Sequence, residues 1–140
     1  TSFGQKFHIT LMVSVDASNP ENGCLQMAPG MHDKGMLPTA PDATVDSEYA
    51  ETLNWEYVET EPGDIVLFDS YIPHKSDANV SDRPRRALYI TYNRTSEGSY
   101  REEYYKEKRA VFPPDVERDP NKVYGDSGVF NVGNPVSVKM

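Results

Sequence analysis

The chain has 140 residues, enough for one domain with a modest core, and its 22 acidic residues against 14 basic ones leave a net charge of −8. Such a chain repels phosphate backbones, which argues against nucleic acid as a partner. No apolar run approaches the roughly 20 residues of a membrane helix, which argues against a membrane partner, and a single cysteine, Cys24, allows no internal disulfide and fits a reducing compartment such as the cytoplasm.

In chain order, the first residues, TSFGQKFH, lack the basic-then-apolar order of a signal peptide. A start at Thr1 that runs almost at once into a strand reads as a cut piece. Lys6 to Val15 (KFHITLMVSV) is rich in apolar and β-branched residues and predicts a strand. Its alternation puts His8, Thr10, Met12 and Ser14 on one face and Ile9, Leu11, Val13 and Val15 on the other. The more polar face either lines a site or meets water. Asp16 to Gly23 (DASNPENG) is turn chemistry, and a short strand follows at 24–28. His32 falls among loop formers and reads as a turn histidine.

Residues 36–53 predict a long excursion with a short helix at 47–53, and long irregular loops often serve as lids or binding loops. Trp55 to Glu59 alternates and predicts a strand next to the one at Ile65 to Phe68, across the Pro62-Gly63 turn. A further strand spans Ala87 to Asn93. Tyr100 to Arg109 predicts a helix with a tyrosine stripe suited to packing, ended by Pro113-Pro114; the rest reads as extended coil. Five strands near 6–15, 24–28, 55–60, 64–69 and 86–93, with one C-terminal helix, predict an all-β fold of the sandwich or jelly-roll kind.

The chemistry concentrates in 61–93, EPGDIVLFDSYIPHKSDANVSDRPRRALYITYN. His74 follows a strand and so sits at a rim. Ser76 lies two residues on, on the same side of an extended chain. Arg85 opens the returning strand eleven residues after His74. A histidine can ligate a metal, and a guanidinium with a hydroxyl can clamp a carboxylate beside it in a bidentate fork.

This stretch, together with HITLMVSVDASNPENGCLQMAPGMH at 8–32, resembles the phytanoyl-CoA dioxygenase-like family of iron(II)/2-oxoglutarate oxygenases. The likeness covers nearly the whole chain, though Met31 stands where the family's Pro-Gly-Ser-His has serine. The resemblance implies a partial double-stranded β-helix, or jelly roll. It implies Fe(II) as metal, 2-oxoglutarate as co-substrate, molecular oxygen, and a small molecule that is hydroxylated. By the same match His74 is the second histidine ligand, Arg85 binds the far carboxylate of 2-oxoglutarate with help from Ser76, and Thr10 lines the pocket from the opposite strand. Arg86, next in the strand, points outward. The tail, AVFPPDVERDP…GVFNVGNP, is similar to the branch that hydroxylates aminophosphonates such as 2-aminoethylphosphonate.

One departure is large. The family's first two ligands come as His-x-Asp, and no such triplet occurs in this sequence. The order of the motifs puts that pair upstream of Thr1. Residues 1–140 are therefore expected to be the C-terminal part of a single oxygenase domain, with 94–140 as helix plus tail, inactive alone. Two other readings stay open: a cupin-type metal enzyme and a non-catalytic β-sandwich binding module. Self-association into a homo-oligomer also stays open.

Overall fold

The computed structural model describes residues 7–40, 44–111 and 113–122. Among these, six strands form two three-stranded antiparallel sheets. In the first, β1 (His8–Ser14) is central, between β4 (Ile65–Asp69) and β6 (Ala87–Asn93). Thr10 lies opposite both Phe68 and Thr91, and Met12 opposite Val66 and Tyr89. In the second, β2 (Leu25–Met27) is central, between β3 (Glu56–Val58) and β5 (His74–Ser76). Leu25 faces Ser76 and Met27 faces His74. The fold is mostly strand with little helix. The predicted short helix is α1 (Ser47–Glu51), capped by the Asp46 carboxylate, which accepts from the Tyr49 amide at 3.0 Å. The second predicted helix is α2 (Arg101–Val111), with acids in its first turn and bases in its last. No helix among the described residues is long and apolar enough to cross a membrane.

The core joins the two sheets. Met12 and Phe68 of the first pack with Leu25 and Met27 of the second, and Val58, Val66, Ile72 and Ala87 surround them. The strand β1 therefore turns Thr10, Met12 and Ser14 inward; all three are buried, while Ile9, Leu11 and Val13 are only half-buried. The more polar face is the inner one. The opposite face continues into Ile65, Leu67, Leu88, Ile90 and Tyr92, all exposed.

Two expectations are corrected. The strand at 56–58 does not pair with 65–69. It pairs with β2, whereas β4 pairs with β1, so the Pro62-Gly63 turn carries the chain from one sheet to the other. The turn is closed by the Asp64 carboxylate, which accepts from the Glu61 amide at 2.8 Å. The sixth strand, β5, was not foreseen. Three residues are too few to show an alternation, and the Tyr71-Ile72-Pro73 lead-in resembles loop.

Pairing of β5 with β2 is supported by the loops beside it. The turn before β2 is locked by Asn19 and Asn22, whose side-chain oxygens each accept the other's amide hydrogen, at 2.8 and 3.1 Å. Gly23 (φ +76°) then passes so close to the backbone carbonyl of Asp77 that a Cβ would collide with it. Gln26 donates to the Asp77 carboxylate at 2.7 Å, and the Val80 amide to the Glu21 carbonyl at 3.2 Å. Gly35 also has positive φ (+70°), but a Cβ there would meet nothing within 4 Å. Gly35→Ala should therefore cost about 1 kcal/mol of backbone strain, and Gly23→Ala at least about 2 kcal/mol because the 77–80 loop must shift as well. Urea unfolding of both variants measures the difference; equal losses would mean that the approach to Asp77 is not tight.

Candidate functional site

The inner faces of the two sheets carry the candidate residues. On β5, His74 and Ser76 share the inner side with Met27 and Leu25, their cross-strand partners, yet both are exposed. The gap between the sheets is open at this edge. The His74 ring meets Phe68 of the other sheet edge-on, with centroids 5.5 Å apart. Its Nδ1 lies 2.8 Å from the Ile72 carbonyl oxygen. A carbonyl only accepts, so Nδ1 carries the proton and Nε2 keeps its lone pair in the neutral ring. Among the described residues Nε2 has no partner. Orientation of an imidazole by a backbone carbonyl at one nitrogen, with the other free, is how metal-binding histidines are held.

Thr10 stands opposite Phe68, so it shares that neighbourhood with His74. Its hydroxyl is buried and bonded to Ser70 Oγ at 2.7 Å and Thr91 Oγ1 at 3.1 Å. Ser70 and Thr91 were not singled out from the sequence. Thr91 had a signal: it lies on the Arg85, Ala87, Tyr89 period of two. Ser70 had none.

Arg85 lies just before β6, two residues from Ala87, which packs on the core. It is half-buried and makes no hydrogen bond or ion pair among the described residues. Its charge reaches the buried Cys24 thiol, whose pKa is pushed up by burial first and by Glu59 second, with Arg85 opposing. Cys24 precedes Leu25, the residue opposite Ser76. Ser76 thus lies at the Leu25 end of β2 and His74 at the Met27 end, with Arg85 near enough to Cys24 for its charge to act on the thiol. Along β5 those ends are two residues apart, about 7 Å. Every other described arginine is engaged. Arg83 pairs with Glu21 and Arg109 with Glu117; Arg94 lies over Phe7 and Arg101 over Tyr105; Arg118 donates to the Pro113 carbonyl.

Arg86 points the other way. Its Nε and Nη2 donate to the two Asp16 carboxylate oxygens, each at 2.8 Å, and its backbone amide donates to Asp16 Oδ2 at 2.8 Å. Its exposure agrees with the outward orientation read from alternation.

No three His, Cys, Asp or Glu side chains among the described residues come together as a metal site. The donor set in hand fits one metal ligand, His74, and a cation for a carboxylate. A cleft of about 200 Å³ lies elsewhere, lined by Ala17, Ser18, Asn19, Glu59, Thr60, Glu61 and Asp64. It holds none of the predicted site residues, and its three carboxylates disfavour an anion. The tail segments at 112 and 123–140, which carry much of the likeness to aminophosphonate hydroxylases, lie outside the described residues.

The profile of the Phytanoyl-CoA dioxygenase (PhyH) family matches residues 2–87. The chain belongs to this family. It is 57% identical over 137 residues to a 2-aminoethylphosphonate dioxygenase of the uncultured bacterium HF130_AEPn_1, covering 97% of this chain and 52% of the relative. It is 51% identical over 105 residues to a methylphosphonate hydroxylase of Gimesia maris, covering 75% of this chain and 40% of the relative. The chain thus spans about half the length of these relatives. Among solved structures, the crystal structure of EctD from S. alaskensis with 2-oxoglutarate and 5-hydroxyectoine is 25% identical, with a TM-score of 0.55 over 64% of this chain and 32% of that one.

The Asp16–Arg86 fork makes a pH prediction. The Arg86 side-chain hydrogen bonds, then its backbone amide, pull the Asp16 carboxyl from its ordinary 3.8 to about 2. A depressed carboxyl stabilises the fold above its unfolded value and loses that contribution as pH falls through the folded one, here between about 4 and 2. An NMR titration of Asp16 should show a midpoint near 2 that returns toward 3.8 in Arg86→Ala. A midpoint unmoved by that substitution would mean that the fork does not form in solution.

Proposed function

We propose that the protein containing this chain is an Fe(II)- and 2-oxoglutarate-dependent dioxygenase that hydroxylates a small phosphonate, and that His74 and Arg85 are its metal ligand and 2-oxoglutarate clamp. The observations that support this most are the free imidazole nitrogen of His74, which shares the inner side of β5 with Ser76, and the one arginine without a hydrogen bond or ion pair among the described residues, Arg85.

In this reading His74 supplies one metal ligand through Nε2, kept available because Nδ1 donates to Ile72. Iron, when bound, supplies oxygen activation. Arg85 binds the far carboxylate in a bidentate fork, and Ser76 adds a hydroxyl donor. Thr10, tied to Ser70 and Thr91, lines the wall opposite His74. No further ligands gather around His74 among the described residues, and the chain is read as part of a single jelly-roll domain. The phosphonate substrate class rests on the two relatives. Water exclusion and orientation are the protein's part in the reaction.

Two substitutions in the whole protein test the assignment. Arg85→Ala removes a charge-assisted hydrogen-bond pair of about 1.5–3 kcal/mol, so the KM for 2-oxoglutarate should rise roughly 10- to 100-fold. His74→Ala should abolish iron-dependent succinate formation. Normal coupling of 2-oxoglutarate to product in either variant would remove that residue from the site. This 140-residue chain alone, titrated anaerobically with Fe(II), should show no tight one-to-one site.

A further inference from the structure

Arg85 and Arg86 are chemically identical neighbours, and only one can face the inner groove. Slipping the strand by one residue would exchange them. The regular ladder between β1 and β6 sets Ala87 inward and so favours Arg85 inward by alternation, but it does not extend to the arginines themselves. Its last pair is Ser14 opposite Ala87, so both arginines lie beyond it. What holds Arg86 is Asp16 together with the backbone beside it. Its carboxylate takes the Arg86 backbone amide and both prongs of the guanidinium, while the Val15 and Asp16 amides donate to the Arg86 carbonyl at 2.9 and 3.3 Å. Arg86 is gripped at its amide, its carbonyl and its side chain. Arg85 is gripped by nothing among the described residues.

We infer that Asp16 is a positioning residue for 2-oxoglutarate binding: by capturing Arg86 on the outer side it selects Arg85, and not its neighbour, as the guanidinium turned into the groove. This rests on the reading of Arg85 as the carboxylate clamp. Asp16 acts through Arg86 and touches no ligand. Two features make the selection effective. The fork needs a carboxylate in one fixed orientation, and the turn that follows Asp16 is itself locked by the Asn19–Asn22 pair and by Asn22 donating to the Ala17 carbonyl at 2.8 Å. The clamp also leaves Arg85 free of any carboxylate of its own, so binding a dicarboxylate breaks no existing ion pair.

The test is the equilibrium Kd of 2-oxoglutarate in the whole protein, measured by anaerobic titration calorimetry, together with its KM. Asp16→Ala should weaken 2-oxoglutarate roughly tenfold, a change of about 1.4 kcal/mol. Its effect on kcat at saturating 2-oxoglutarate and on the KM of the phosphonate should stay within about twofold. In an Arg86→Leu background, where no rival guanidinium exists, the same substitution should have much less effect; that non-additivity separates tie-breaking from a general loss of stability. If Asp16→Ala does not fold, the isosteric Asp16→Asn is read instead, with an expected loss of about threefold from the weakened, uncharged fork. Arg85→Ala is the control. Strong weakening by Arg85→Ala with none by Asp16→Ala or Asp16→Asn overturns the positioning role alone. No weakening by Arg85→Ala overturns both this role and the clamp. Equal losses from Asp16→Ala with and without Arg86 also overturn the selection.

Discussion

Four side chains hold the two sheets together: Met12 and Phe68 from one, Leu25 and Met27 from the other. Three of them also set the direction of a candidate site residue. Leu25 and Met27 face Ser76 and His74 across the β2–β5 ladder, so burial of the first pair turns the second pair inward. Phe68 lies opposite Thr10 and edge-on to His74. In a sheet, one apolar contact sets the facing of a whole strand because side chains alternate strictly. The candidate site is therefore positioned by the core and not by its own contacts, which are few. This is why His74 and Ser76 can be exposed and still be placed.

The same alternation explains what could be read without coordinates. The strand at His8–Ser14, the returning strand at Ala87–Asn93 and the turns between them were legible because seven residues are enough to show a period of two. Which face of β1 lies inward was not. Ile9, Leu11 and Val13 are the more apolar set, and simple burial arithmetic would hide them. The structure buries Thr10, Met12 and Ser14 instead, with hydroxyls satisfied by Ser70, Thr91 and Thr60. Buried hydroxyls that find partners carry little penalty, and those partners come from residues 46 to 81 positions away, beyond the reach of a local pattern. The β5 strand was hidden for a related reason. Three residues form it only because β2 offers an edge.

Recognition of the motif reached further than periodicity did. The His74, Ser76 and Arg85 spacing carried the family, and the family profile and the phosphonate-named relatives agree with it. Spacing alone said nothing of how a charged groove is kept from neutralising itself. In the structure two acidic residues on the turn after β1, Asp16 and Glu21, are paired with Arg86 and Arg83.

Net charge would otherwise count against the proposed ligand. A chain at −8 repels a dianion at long range. At about 0.1 M salt, however, the Debye length is roughly 10 Å, so the carboxylates spread over the surface are largely screened from a bound ligand. What remains is the immediate neighbourhood. There the half-buried Arg85 acts in a lower dielectric than the surface residues, and its attraction for a carboxylate in contact exceeds that of an exposed pair. An acidic protein can hold an acidic co-substrate provided one guanidinium is left without a carboxylate of its own. Among the described arginines that condition is met at Arg85, while its neighbour Arg86 is paired with Asp16.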